Sequence, residues 1–280
     1  GIVNAIAAIA AVTVVIFLLG IPISYHAARY GVDIDLLTRG AGFGYLGSTL
    51  TSLIYATFTF IFFALEAAIM AMALEVLFNV PLTLGYVISS LVVIPIVTHG
   101  FTYIRRFQVW TQPLWIILQL TPFIFILFQD PDSLPRWLAF DNTIVGPQGF
   151  DLLLFGAATT VMFSLVAQIG EQVDYLRFIP EAQPGKRLRW WTAVLAGGPG
   201  WIIIGALKAL AGSFLAVLAL HHGLATELAQ EPMHMYLVGF SHVTTHPAML
   251  MALAGIFVVL SQLKINVTNA YAGSIAWSNF

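Results

Sequence analysis

Long apolar stretches separated by short polar segments make up most of this chain. Seven stretches are bounded by Gly, Pro or charged residues: 2–20, 48–78, 82–98, 110–128, 150–173, 198–220 and 247–276. A helix of about 20 apolar residues crosses the ~30 Å hydrocarbon core of a bilayer. The pattern therefore predicts an all-α, polytopic membrane protein whose seven spans form a single transmembrane domain over residues 1–280.

Composition also indicates a membrane environment. Hydrophobic residues make up 59% of the chain and charged residues 9%, whereas a soluble domain carries roughly a quarter charged residues. The net charge of −2 gives no indication of nucleic acid binding, and the absence of Cys excludes disulfides and thiolate nucleophiles. The chain starts and stops inside apolar stretches, which indicates a piece of a longer protein, incomplete at both ends.

Basic residues indicate an orientation in the membrane. Eight of the eleven Lys and Arg residues follow the first, third and fifth spans: Arg29, Arg39, Arg105, Arg106, Arg177, Lys186, Arg187 and Arg189. Only Arg136 lies in a loop on the other side. Because cytoplasmic loops are enriched in Lys and Arg, these three loops are predicted to be cytoplasmic in a multi-pass protein of the cell inner membrane, with one helix preceding residue 1.

Two charged residues lie near the middle of spans, Glu66 in the second and Lys264 in the seventh. An unpaired charge at that depth costs about 2.5–3.5 kcal/mol on insertion scales, so such residues usually face a cavity or a partner. Both are therefore candidates for a binding site. A structural Glu66–Lys264 pair, or snorkelling to an interface, is the alternative.

The fifth and seventh spans contain polar residues that lipid does not tolerate on an exposed helix face. The seventh has five of them: Ser261, Gln262, Asn266, Thr268 and Asn269. In the fifth, Ser164, Gln168 and Gly170 precede Glu171 and Asp174, which predicts a helix that loses regularity, as transporter helices do where they expose backbone to a solute. An ordinary helix end with acidic residues is the alternative.

Two other patterns are weak. Gly42-x-Gly44-x-x-Gly47 matches a dinucleotide fingerprint, but no strand precedes it, so close packing of a loop against a helix start is the better interpretation. Five His residues and two Glu residues follow the sixth span without metal-ligand spacing, so no metal site or cofactor is predicted. Neither His-Glu-x-x-His nor Gly-x-Ser-x-Gly is present, so an enzyme is not expected.

Three short motifs resemble a known family. They are Arg39-x-x-x-Phe43-Gly44-x-x-Gly47 before the second span, Asp174-Tyr175-x-Arg177-Phe178 at the end of the fifth, and Ser261-Gln262 followed by Asn266 in the seventh. In this order and orientation they resemble the nucleobase:cation symporter-1 transporters of purines, cytosine, hydantoins and allantoin, within the amino acid/polyamine/organocation superfamily. The resemblance covers nearly the whole chain and makes its spans family helices two to eight.

The resemblance implies a five-plus-five inverted repeat, with the solute bound between the first, third, sixth and eighth helices. Phe62 is similar to a third-helix aromatic residue that stacks on the base, and Glu66 to an amide one turn later that hydrogen-bonds its edge. A core-packing role for Phe62 is the alternative. The other implied solute residues are Phe163, Ser164, Gln168, Asn266, Asn269 and Ala270, with Phe163 in place of a sixth-helix tryptophan that this chain lacks.

The implied cation site departs from the family pattern. Ser261, Lys264 and Ile265 correspond to eighth-helix positions that normally offer small hydroxyl groups to sodium. The Lys264 ammonium is therefore expected to replace sodium, unless the alignment is shifted by one turn.

The function expected from these observations is secondary transport of a nucleobase-like heterocycle by alternating access. The alternative is a transporter-like sensing domain of a membrane receptor. The expected partners are the solute, membrane lipid and either H⁺ or Na⁺, with no nucleic acid.

Overall fold

The computed structural model describes residues 1–140 and 149–278, and within them every regular element is helical. The α-helices are α1 (Ile2–Tyr30), α2 (Ile34–Thr38), α3 (Gly44–Phe78), α4 (Leu82–Leu91), α5 (Ile94–Thr98), α6 (Phe101–Gln129), α7 (Ser133–Leu138), α8 (Leu152–Phe163), α9 (Ile169–Leu176), α10 (Arg187–Gly197), α11 (Trp201–His221), α12 (Pro232–Ser241) and α13 (Pro247–Trp277). Short 3₁₀ segments cover Ser164–Gln168 and Leu228–Gln230, and a π-helical turn covers Arg39–Phe43.

Six helical segments among the described residues are long and apolar enough to cross a membrane. They are Ile2–Tyr30, Ile34–Phe78, Phe101–Gln129, Leu152–Leu176, Trp201–His221 and Pro247–Trp277. This confirms the prediction of an all-α, multi-pass membrane protein. Each of the six contains the main part of a span that the apolar pattern predicts.

The predicted span 82–98 is different, because it forms the two short helices α4 and α5. Pro95 explains the break. Proline lacks an N–H group, and its ring clashes with the carbonyl four residues earlier, which here belongs to Leu91 at the end of α4. The predicted span is thus helical but divided, and it is shorter than the six segments that can cross a membrane.

Several helices extend beyond their apolar cores. Helix α1 continues to Tyr30 and ends at Gly31, which has a left-handed φ of 62° and donates its N–H to the carbonyl of Ala27. Helix α6 begins at Phe101 rather than at residue 110. Apolar residues mark the depth of the hydrocarbon layer, whereas backbone hydrogen bonding continues into the polar interface, so the helices are longer than their apolar stretches.

The glycines before α3 have a conformational role. Gly42 and Gly44 have φ values of 106° and 66°, and a Cβ added to either would meet no atom within 4 Å. Only glycine adopts such φ values at little cost. The interpretation of these two glycines as close-packing residues was therefore wrong; they are needed for the backbone turn.

The chain divides into two compact units. Unit 1 comprises Gly1–Phe58, Phe140–Ala211 and Ser274–Phe280, and unit 2 comprises Thr59–Ala139 and Gly212–Gly273. Each unit combines segments that are distant in sequence.

Unit 1 is built around α1, which packs on α8, α9 and α10. A buried amide supplements the apolar contacts there. The Gln172 side chain on α9 donates to the carbonyl of Gly20 (3.2 Å) and to the hydroxyl of Ser24 (2.9 Å). It also accepts from the indole N–H of Trp201 (3.1 Å). Gln172 therefore connects α1, α9 and α11.

Unit 2 has its core between α3, α6, α12 and α13. Its buried residues are Ala73, Leu118, Met233, Phe240, Ala254, Phe257 and Val258. Small residues bring helices close, as membrane proteins require where lipid offers no hydrophobic driving force. A Cβ added at Gly85 on α4, for example, would lie 2.9 Å from the Cβ of Ala71 on α3.

A testable contact in unit 1 is the one between Gly170 and Tyr55. A Cβ added at Gly170 would lie 2.9 Å from two carbons of the Tyr55 ring. We expect Gly170→Ala to destabilise the protein by about 1–3 kcal/mol, as overpacking does, which would lower the melting temperature of the purified protein. Gly156→Ala is the control, because a Cβ there meets nothing within 4 Å. Equal melting temperatures for the two variants would contradict the contact.

Candidate functional site

The predicted site residues are divided between the two units. Phe62 and Glu66 on α3 and Ser261, Lys264, Ile265, Asn266, Asn269 and Ala270 on α13 lie in unit 2. Phe163, Ser164 and Gln168 lie in unit 1, at the end of α8 and in the 3₁₀ segment after it. Eight of the eleven candidates thus belong to two helices of the same unit.

Asn266 joins α13 to α3. It is 0% exposed, and with its amide nitrogen facing Phe63 it donates to that residue's carbonyl (3.3 Å) and accepts from the N–H of Ala67 (3.2 Å). These two backbone groups are four residues apart, so the amide spans one turn of α3. Glu66 lies within that turn, and Phe62 immediately precedes it. Asn266 therefore holds α13 against the segment that carries both third-helix candidates.

Phe62 and Glu66 lie on a partly covered side of α3, next to its most exposed face. Both are half-buried, and a spacing of four residues places them on one face of the helix. Ile61 and Leu65, one position earlier in each case, are 55% and 54% exposed. Helix α3 thus has an apolar face at Ile61 and Leu65 beside a partly covered face at Phe62 and Glu66.

The polar residues of α13 are buried by protein. Gln262, Lys264, Asn266 and Asn269 are buried, and Ser261 and Thr268 are half-buried, as expected for polar residues that contact protein more than lipid. Two polar atoms remain unsatisfied: Oε1 of Gln262 and Nδ2 of Asn269 have no hydrogen-bond partner among the described residues. Buried polar atoms are nearly always bonded, so these two atoms are candidates for hydrogen bonds to water or to a polar ligand.

Lys264 joins α13 to α6. Its ammonium donates to the carbonyl of Gln108 (3.0 Å) and to the hydroxyl of Thr111 (2.9 Å), and the Gln108 amide donates in return to the carbonyl of Lys264 (2.8 Å). The charge of Lys264 is thus bonded to α6. Carbonyl and hydroxyl oxygens are also the groups that hard cations such as Ca²⁺ and Mg²⁺ take as ligands.

The other two predicted cation-site residues, Ser261 and Ile265, lie on α13 within one turn of Lys264. The hydroxyl of Ser261 accepts from the indole N–H of Trp115 on α6 (2.8 Å). Ile265 is half-buried, as is Ala270, a predicted solute residue on the same helix. Sequence reasoning missed the α6 partners, although Gln108, Thr111 and Trp115 recur at spacings of three and four residues and therefore share one helix face.

The fifth span is interrupted, as its polar residues predict. Ser164–Gln168 is a 3₁₀ segment between α8 and α9. Ser164 is exposed, with its hydroxyl bonded to the carbonyl of Val161 (2.7 Å), while Phe163 and Gln168 are half-buried. A 3₁₀ stretch within a longer helix often marks a functional hinge.

Two buried carboxylates follow this interruption on α9. The Tyr55 hydroxyl donates to Oδ2 of Asp174 (3.4 Å), and the Tyr175 hydroxyl donates to Oε1 of Glu171 (2.9 Å). Asp174 is fully buried and Glu171 nearly so. The acidic residues at this helix end are therefore covered by protein. Sequence reasoning also missed Tyr55, which no motif includes.

The arginines of two of the motifs form ion pairs near α2. Arg39 pairs with the buried carboxylate of Asp35 (2.5 Å) and donates to the hydroxyl of Ser48 (3.3 Å). Arg177 lies 3.9 Å from the carboxylate of Asp33. These contacts connect the segment after α1 with α3 and with the end of α9.

Comparison of the chain with models of protein families, with curated proteins and with solved structures finds no significant match.

Proposed function

We propose that this chain belongs to a secondary transporter that moves a nucleobase-like or related small nitrogen heterocycle across the inner membrane by alternating access. The observation that carries the proposal is the buried polar face of α13, which Asn266 holds against the Phe62–Glu66 turn of α3. Polar groups at membrane depth usually serve a solute or ion pathway.

The chemistry of these side chains suits a planar solute that has both donors and acceptors. An aromatic ring such as that of Phe62 contributes about 1–3 kcal/mol when a base stacks on it. The Glu66 carboxylate accepts hydrogen bonds from ring N–H groups, and such charge-assisted bonds are the stronger kind. Asn269 offers an unbonded N–H donor and Gln262 an unbonded oxygen acceptor, which complement the edge of a heterocycle.

The interrupted fifth span supports a transporter over a rigid binding protein. The 3₁₀ segment Ser164–Gln168 separates two α-helical parts. Discontinuous helices of this kind line the solute sites of many secondary transporters and absorb the change between their two states.

A binding screen on the purified full-length protein tests the proposal. Purines, pyrimidines and hydantoins are compared with aliphatic amino acids and sugars of similar mass, each with and without sodium. We expect saturable binding of one heterocycle class. Binding confined to an amino acid or a sugar would contradict the proposal.

Lys264 predicts the ion dependence of that binding. The Lys264 ammonium is hydrogen-bonded to two oxygen atoms, the Gln108 carbonyl and the Thr111 hydroxyl. Because this positive charge takes the place of sodium in the proposal, we expect binding to be unchanged when choline replaces sodium. We expect the Lys264→Ala variant either to lose binding or to bind only when sodium is present. Lys208→Ala is the control, since Lys208 is an exposed lysine on α11. The proposed role of Lys264 is wrong if the wild-type protein requires sodium and Lys264→Ala changes nothing.

A solute sensor is the second candidate function, and the same lysine favours it. A charge fixed by two hydrogen bonds to α6 is not released with an ion gradient, and a sensor needs solute binding without a gradient. Uptake into proteoliposomes separates the two functions. A transporter accumulates or exchanges the bound heterocycle, whereas a sensor binds it at the membrane without moving it.

A further inference from the structure

A cleft in unit 1 lies beside the C-terminal part of α1, away from the candidate solute residues in the sequence. It has a volume of about 630 Å³ and lies between α1, the segment around Glu181 and the first turns of α10. The charged residues that line it are Arg29, Arg187 and Glu181, together with His26. Two guanidinium groups face one carboxylate, so the cleft has a net positive charge.

Both guanidinium groups are available to a ligand. Arg29 and Arg187 are both exposed. Arg29 donates to the hydroxyl of Tyr25 and lies 5.7 Å from the ring centres of Tyr25 and Tyr30. That contact uses one of the five N–H donors of Arg29 and orients the others.

The walls of the cleft are aromatic and apolar. Tyr25 stacks on Trp191 with ring centres 5.4 Å apart and an interplanar angle of 13°. Trp190 contacts Tyr25 edge-on and is fixed by a hydrogen bond from its indole N–H to the carbonyl of Pro180 (3.1 Å). Ile21 and Pro22 complete the apolar side. Tyr and Trp are enriched at the headgroup level of a bilayer, so this wall is suited to the boundary between headgroups and acyl chains.

The position of the cleft along the membrane normal agrees with this chemistry. Arg29 lies in the last turn of α1 and Arg187 begins α10, and both follow predicted spans whose basic residues indicate the cytoplasmic side. Basic pockets beside transmembrane helices on that side bind the phosphates of anionic lipids.

We propose that this cleft binds the phosphate of an anionic phospholipid of the phosphatidylglycerol or cardiolipin class. The guanidinium groups of Arg29 and Arg187 hold the phosphate, and one acyl chain lies along Ile21 and Pro22. Arginine binds phosphate oxygens in a bidentate manner, which gives the site both charge and geometry. The inference does not depend on the identity of the transported solute.

Native mass spectrometry of the full-length protein tests the inference. Phosphatidylglycerol and cardiolipin are compared with phosphatidylcholine of the same acyl chains, and with inorganic phosphate alone. We expect the two anionic lipids to be retained preferentially, and the double variant Arg29→Gln, Arg187→Gln to bind them at least about tenfold more weakly, because its amides cannot form charged bidentate bonds. Unchanged melting temperatures of the variant show that its fold is intact.

The double variant Arg105→Gln, Arg106→Gln is the matched control. It removes the same charge from two exposed residues of α6 that follow the third predicted span, and we expect it to retain anionic lipid like the wild type. Equal weakening by both double variants would overturn the proposal, because it would show a general charge effect. Equal retention of phosphatidylcholine would also overturn it, as would binding of inorganic phosphate as tight as that of lipid.

Discussion

Glu66→Gln is expected to weaken binding of the transported heterocycle by about tenfold to a hundredfold, and Glu66→Leu to abolish it. A hydrogen bond to a charged group contributes about 1.5–3 kcal/mol, and each 1.4 kcal/mol corresponds to about a tenfold change in affinity. Glutamine keeps one acceptor oxygen and loses the charge, whereas leucine loses both. Equilibrium binding of the heterocycle identified by the screen measures the change.

Glu75→Gln is the matched control for this experiment. Glu75 is also on α3, but it is exposed near the end of the helix. We expect its substitution to leave the affinity unchanged. The role of Glu66 would be contradicted if both Gln variants bound the heterocycle equally well.

Gln172→Leu is expected to destabilise the protein by about 3 kcal/mol or more, because buried polar groups that lose their partners cost about 1–3 kcal/mol each. The substitution leaves the Gly20 carbonyl, the Ser24 hydroxyl and the Trp201 indole without the bonds that Gln172 provides. Chemical unfolding of the purified protein measures the loss.

Gln183→Leu serves as the control for the same chemical change. Gln183 is exposed, and its amide oxygen accepts only from the surface residue Lys186. We expect little change in the unfolding midpoint. If Gln172→Leu unfolded at the same denaturant concentration as Gln183→Leu, the Gln172 contacts would not be stabilising ones.

Much of the fold could be predicted from hydropathy, because every helix that crosses the lipid needs about 20 mostly apolar residues in a row. Six of the seven predicted spans lie largely within the membrane-crossing helices. The division of the span 82–98 into two helices was not predicted, because apolar composition does not show the effect of Pro95 on the helix before it. The predicted spans were also shorter than the helices, because a span was ended where the apolar residues end. Arg105 and Arg106 are polar, yet they belong to α6.

The site was predicted only in part. The burial of Asn266 and Asn269 followed from the exclusion of polar groups from lipid. Their partners did not follow, because periodicity gives the face of a helix and not the helix that packs against it. Gln108 and Thr111 bind Lys264 from α6, and this contact between residues distant in sequence has no signal in a single chain.

Accessibility of a thiol at position 66 tests most directly whether a polar chamber borders α3. These 280 residues contain no cysteine, so Glu66→Cys introduces a single reactive group into this part of the protein. A thiol reacts as the thiolate, which requires a polar environment. Leu65→Cys places the same group on the exposed apolar face of α3.

We expect a membrane-impermeant thiol reagent to label the Glu66→Cys protein, and saturating heterocycle to slow that labelling. The Leu65→Cys protein, whose thiol faces lipid, is expected to stay unlabelled. If the thiol at position 66 is as inert as the one at position 65, with and without the heterocycle, then no polar chamber borders Glu66 and the proposed solute site is wrong.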